Sequence, residues 1–136
     1  MGGFIKGSNA QRVETTGVNQ KINKEVFDSF KDACKEAGYP MNVVLEVFMQ
    51  QYGDGRFYID EIDIVKWKKY DEEVSTLNTT FNKRIYLNFK HTCKSKKYFV
   101  KNVIMAFMEK FASGSVMLEY VEKAEVYGYH KNKEDN

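Results

Sequence analysis

Two stretches of the chain share one rhythm of apolar and polar positions. The first opens with Val18-Asn19-Gln20-Lys21-Ile22, apolar at its ends and polar between, which predicts a short strand with Val18 and Ile22 on one face. Asn23 follows as a helix N-cap residue. Val26, Phe27, Phe30, Ala33, Cys34 and Ala37 then recur at helical spacing and predict an amphipathic helix that Gly38 ends. A second helix is expected from about Pro40, whose missing N–H suits a first turn. Its stripe is Met41, Val44, Leu45, Phe48 and Tyr52, and Gly53-Asp54-Gly55 closes it. The other stretch runs in the same order: Leu77-Asn78-Thr79-Thr80-Phe81, the cap Asn82, then Ile85, Tyr86, Phe89, Thr92 and Cys93. Its second stripe is Val100, Val103, Ile104, Phe107 and Phe111, closed by Ser113-Gly114-Ser115. Lys97 stands where Gly38 does and is a poorer residue for a left-handed turn.

The shared rhythm is an internal repeat. Displaced by 59 residues, Thr15–Phe57 falls on Val74–Val116 without a gap, and 12 of the 43 pairs are identical. Background composition would supply about two or three. The identities are Asn19/Asn78, Asn23/Asn82, Lys24/Lys83, Phe30/Phe89, Lys31/Lys90, Cys34/Cys93, Lys35/Lys94, Tyr39/Tyr98, Val44/Val103, Phe48/Phe107, Met49/Met108 and Gly55/Gly114.

A strand of about five residues needs a partner strand, and a helical hairpin this short leaves its apolar face uncovered. Two copies meet both needs if their strands pair and their four helices share one core. The expected fold is therefore mainly α with a short two-stranded antiparallel β-ribbon, in the order β-α-α-β-α-α with extra short helices. Units 15–57 and 74–116 form one compact domain in this reading. Residues 1–14 are expected as a flexible arm that carries Lys6 and Arg12. The connector 58–73 holds Ile59, Ile62, Val65 and Trp67 and is expected to contain a short helix. Residues 117–136 are expected as a C-terminal helix and charged tail.

In strand, helix, glycine turn and helix start, Val18–Phe30 followed by Gly38-Tyr39-Pro40-Met41-Asn42 resembles the ribbon-helix-helix family of Arc- and MetJ-type repressors. The resemblance covers about 35–40 residues in each copy and rests on spacing more than on invariant residues. A few plasmid-transfer accessory proteins of that family carry both units in one chain, and this sequence is similar to that arrangement. The resemblance implies binding of double-stranded DNA, as a transcriptional repressor or as a transfer or partition accessory factor. The alternation leaves Asn19 and Lys21, with Asn78 and Thr80, on the free face of the ribbon, and Gly17 and Thr76 are the next outward positions. The major groove admits such a ribbon; Asn pairs with adenine, Lys donates to guanine, and Thr contacts the thymine methyl group. Family members also grip phosphate at the start of the second helix, which here implicates Tyr39, Asn42, Tyr98 and Lys101. The usual small hydroxyl cap is absent there in both copies, and either tyrosine can instead staple into the core.

Charge separates the two copies. The whole chain has a formal charge of only +2, but Thr15–Tyr52 carries four lysines against five acids, a net of −1, and Val74–Phe111 carries eight bases against Glu109 alone, a net of +7. Lys83, Arg84 and Lys97 belong to that basic set and are expected to attract phosphate. The two cysteines and two histidines show no zinc-ligand spacing, and the cysteines are read as reduced, buried thiols of a cytoplasmic protein. No apolar run reaches the ~20 residues that span a bilayer. His91 and His130 stand apart from any nucleophile, and Asp60, Glu61 and Asp63 read as a solvated acidic face, so no enzyme, cofactor or small-molecule substrate is expected. The expected partners are double-stranded DNA and further copies of the chain on adjacent sites, in a plasmid or phage context. The competing class is a protein-interaction module, such as an antitoxin or phage-encoded inhibitor, that works through the C-terminal segment.

Overall fold

The computed structural model describes residues 13–68 and 73–116. Strand β1 (Thr15–Asn23) leads into α1 (Lys24–Ala37) and α2 (Met41–Gly53). A short α3 (Glu61–Val65) runs on into a 3-10 turn over Lys66–Lys68. Strand β2 (Val74–Asn82), α4 (Lys83–Ser95) and α5 (Val100–Ala112) then repeat the first unit. The fold is mainly helical with one two-stranded antiparallel sheet, as expected.

The strands are longer than the pattern suggested, at nine residues each, because Thr15–Gly17 pair with Thr80–Asn82 and Asn23 with Val74. The register is decisive for symmetry. Asn19 lies opposite Asn78, its own repeat equivalent, with Gly17 opposite Thr80 and Lys21 opposite Thr76. A pseudo-two-fold axis therefore passes through the Asn19–Asn78 pair. The same axis passes between Phe48 and Phe107, also repeat equivalents, whose rings stack 4.1 Å apart in the core. Phe30 against Phe107 (5.9 Å) and Phe89 against Phe48 (5.7 Å) are symmetry mates around that stack.

Neither unit folds on itself. The helix α1 packs chiefly on α5, and α4 chiefly on α2, so each first helix is covered by the second helix of the other copy. The strands are tied in the same crossed manner. The N–H of Lys24 donates to the carbonyl of Glu73, and that of Lys83 to the carbonyl of Glu14, both at 2.9 Å. Asn23 and Asn82 cap α1 and α4, each accepting from the N–H three residues on at 3.0 Å, as the sequence predicts.

The inward face of the ribbon buries Val18, Ile22, Leu77 and Phe81. On α1 and α4 the buried residues are Val26, Phe30 and Cys34, and Tyr86, Phe89 and Cys93; Ala37, expected on that face, is exposed. The second helices are buried over more of their circumference than a stripe. Val47, Met49 and Gln51 on α2, and Asn102, Met105, Ala106 and Met108 on α5, are buried in addition to the expected positions. Each of these helices is covered by the other unit, which one unit's periodicity cannot reveal.

The turns differ as their residues require. Gly38 adopts a left-handed conformation (φ 83°) and Lys97 takes the same turn at φ 65°. Pro40 is the N-cap of α2 rather than its first helical residue, with φ −65° and ψ 144°, and Phe99 caps α5 in the same way. Gly53 lets α2 approach α4 closely; a Cβ there would lie 2.7 Å from the Asn88 Nδ2. At the symmetric site Ala112 and Ser29 stand in place of Gly53 and Asn88 and line a cavity together.

The connector forms its expected short helix but buries Ile59 and Ile64, while Ile62 stays exposed. It is fastened to α5 by ion pairs of Lys66 with Glu109 (2.6 Å) and Asp63 with Lys110 (3.0 Å). No described helix is long and apolar enough to cross a membrane. The segments 1–12 and 117–136, which include most of the expected arm and all of the expected tail helix, lie outside the described residues.

Candidate nucleic-acid interface

Alternation along the ribbon sends Gly17, Asn19 and Lys21, and Thr76, Asn78 and Thr80, to the exposed face. All six expected positions thus share one surface, and the outermost pairs add Thr15 and Val74 to it. The paired strands lie about 4.8 Å apart, so this surface is narrow enough for a groove about 12 Å wide. Asn19 and Asn78 occupy its centre, on the pseudo-dyad, with both side chains exposed.

Eight of the 12 identities between copies fall into two groups. Phe30, Cys34, Val44, Phe48 and Met49 and their mates are buried and serve the core. Asn19, Lys31 and Lys35, with Asn78, Lys90 and Lys94, are exposed in both copies. Core packing cannot explain a side chain that repeats in the same place yet faces water. The lysines recur on one flank of α1 and α4. In the first unit Lys31, Lys35 and Asn42 line a groove of about 500 Å³ together with Thr76 and Asn78 of the ribbon. In the second, Lys90, Lys94 and Lys97 line a groove with Tyr98, Phe99 and Val100. Lys31, Lys35, Lys90 and Lys94 were not among the sequence-derived contact residues, although the repeat already held the signal: identity at helix positions off the apolar face.

The starts of α2 and α5 have no side-chain cap, so their first backbone N–H groups lack the acceptor that a capping serine or threonine supplies. Asn42 is exposed beside the α2 start, and Lys101 is half-buried beside the α5 start. Tyr39 and Tyr98 are half-buried and pack against the core cluster, which is the stapling arrangement. The hydroxyl of Tyr98 is pushed above its ordinary value by burial and then by Glu61, so a carboxylate of the connector acts at the α5 start.

The remaining basic residues are dispersed. Lys83 pairs with Glu14 at 3.7 Å. Arg84 lies about a quarter of a turn around α4 from the lysine flank, on the outer face of that helix. Lys96 places its ammonium group 5.0 Å from the centre of the Tyr52 ring. Among the described residues no cluster of metal-ligating side chains occurs. Asp60 accepts from the Tyr58 hydroxyl at 2.9 Å, while Asp63 is held by Lys110, so this acidic group is satisfied locally.

Compared with known protein families, curated proteins and solved structures, the chain has no match.

Proposed function

We propose that the chain is a tandem ribbon-helix-helix protein that lays its β1–β2 ribbon in the major groove of double-stranded DNA. The observation that carries this reading is the exposed Asn19–Asn78 pair at the centre of the ribbon, with Lys31 and Lys35, exposed lysines that repeat in both units, lining a groove together with Thr76 and Asn78. Residues shared by both copies and facing water have work to do outside the core. Paired asparagines on a two-fold axis suit adenines on opposite strands, since Asn bonds adenine bidentately through N6 and N7. Lys21 and Thr80 occupy equivalent places yet differ chemically, and so do Gly17 and Thr76. The half-sites they read differ accordingly, and the preferred duplex is asymmetric about its centre.

Affinity and selectivity divide between the units. The second unit, with its net charge of +7, supplies most of the phosphate attraction, and the first unit supplies register. Such a protein suits a transcriptional repressor or an accessory factor at a transfer or partition site.

Duplex binding titrated at two salt concentrations tests the reading. Wild-type protein binds with a steep loss of affinity as salt rises. Replacing Lys90 and Lys94 by Ala reduces the slope of log K against log salt by about 1 per lysine, on all duplexes alike. Replacing Asn78 and Thr80 by Ala leaves the slope unchanged but flattens the preference among duplexes. Absence of binding to any duplex pool at low salt would overturn the reading.

A further inference from the structure

We propose that residues 117–126 dock on α2 of the same molecule, in the place that the connector takes on α5. The connector leaves α2 at Phe57, whose ring meets Phe48 at 5.2 Å and Phe107 at 5.8 Å. Its repeat equivalent Val116 is likewise half-buried against the core cluster, so the chain leaves the two units at symmetric points. From Phe57 the connector crosses to α5, buries Ile59 and Ile64, and sets Asp63 on Lys110 and Lys66 on Glu109. The pseudo-dyad turns that surface of α5 into the surface of α2 that bears Gln50 and Gln51. Twenty residues follow Val116, enough to make the same crossing.

Side chains on both partners support the match. Gln51 is 5% exposed, and its Nε2 donates to no acceptor among the described residues. A buried donor left unpaired is costly. Its equivalent, Lys110, has the Asp63 carboxylate as acceptor at 3.0 Å. Displacement by 59 residues puts Glu122 in place of Asp63. Gln50 stands where Glu109 does and Glu125 where Lys66 does, so donor and acceptor change sides and the pair stays complementary. Glu25 lines a groove with Glu109 and Trp67 beside the connector; its equivalent is Arg84, which adds a cation on the side of Glu125. Leu118 replaces the buried Ile59, and Val126 replaces Trp67. Lys123 in place of Ile64 is the departure, and its aliphatic stem suits the edge of such a site. The tail is thereby part of the fold rather than an arm held out for another protein.

Cross-linking of the full-length protein without DNA tests the docking, so its outcome is independent of the reading of the ribbon. Cys34 and Cys93 are 1% and 0% exposed and do not react with a maleimide in the folded chain. Lys66→Cys/Glu109→Cys, at a pair whose side chains already meet at 2.6 Å, calibrates a short bismaleimide. Gln50→Cys/Glu125→Cys is expected to close within one molecule at a comparable rate, whatever the protein concentration. Glu122→Ala is expected to lower Tm by about 3–5 °C in the wild-type chain and to have no effect in a Gln51→Leu background. A link in the calibrating pair with none between positions 50 and 125, a link that forms only between molecules, or an equal Glu122→Ala shift in both backgrounds would overturn the proposal.

Discussion

At the scale of single residues, the repeat offers the same position twice with different side chains. Gly38 and Lys97 hold the same left-handed turn, and only the lysine is strained by it. Replacing Lys97 by Gly is expected to raise stability by about 1 kcal/mol in denaturant unfolding, while Gly38→Ala lowers it by a similar amount. The two thiols are alike in both copies and alike in burial. Removal from water pushes both Cys34 and Cys93 up to about 12, from an ordinary 9.0. A thiol that ionises later in the folded than in the unfolded chain leaves stability intact below pH 9.0 and erodes it as pH climbs from there toward 12. Thermal unfolding monitored across that range is expected to show the decline, and Cys34→Ala/Cys93→Ala is expected to lessen it, leaving the part that the buried hydroxyls of Tyr52 and Tyr86, also pushed up by burial, contribute. Neither thiol should react with a soluble disulfide reagent at neutral pH unless the chain unfolds.

At the scale of elements, what was legible depended on whether one unit contained the whole signal. The caps Asn23 and Asn82, the turns and the four long helices are set by local chemistry, and the structure has them where the sequence predicts. Strand length was underestimated because pairing of Thr15–Gly17 with Thr80–Asn82 is an interaction between segments more than sixty residues apart in sequence. The burial of Met49, Met105 and Ala106 was equally hidden, since the helix that covers each belongs to the other copy. The exchange of helices also predicts cooperativity. Phe48 stacks on Phe107 and touches Phe89, so Phe48→Ala is expected to cost about 3–5 kcal/mol and to melt both units together. Two separate transitions in calorimetry would show that the units fold apart.

At the scale of the whole molecule, the repeat and the pseudo-dyad give one shape with two unlike ends. The ribbon face could be placed from sequence because strand alternation is a local rule; all six outward positions followed from it. The lysine flanks could not, because which side of α1 borders the ribbon depends on how β2 returns beside β1. The difference in charge between the units, −1 against +7, lies on a nearly symmetric backbone and gives the molecule a direction. On DNA that direction should appear as a preferred orientation. A duplex built as a perfect palindrome of either half-site is expected to bind more weakly than an asymmetric site selected from a random pool, by about 1–3 kcal/mol for each mismatched base pair.

Selection of bound duplexes from a random pool tests the central claim most directly. Wild-type protein should enrich one short site, asymmetric about its centre, with adenines placed for Asn19 and Asn78, and the Asn19→Ala/Asn78→Ala variant should lose enrichment at those central positions while still retaining DNA at low salt. A pool that stays random after repeated selection, or an enriched site unchanged by the double substitution, would contradict reading by the ribbon.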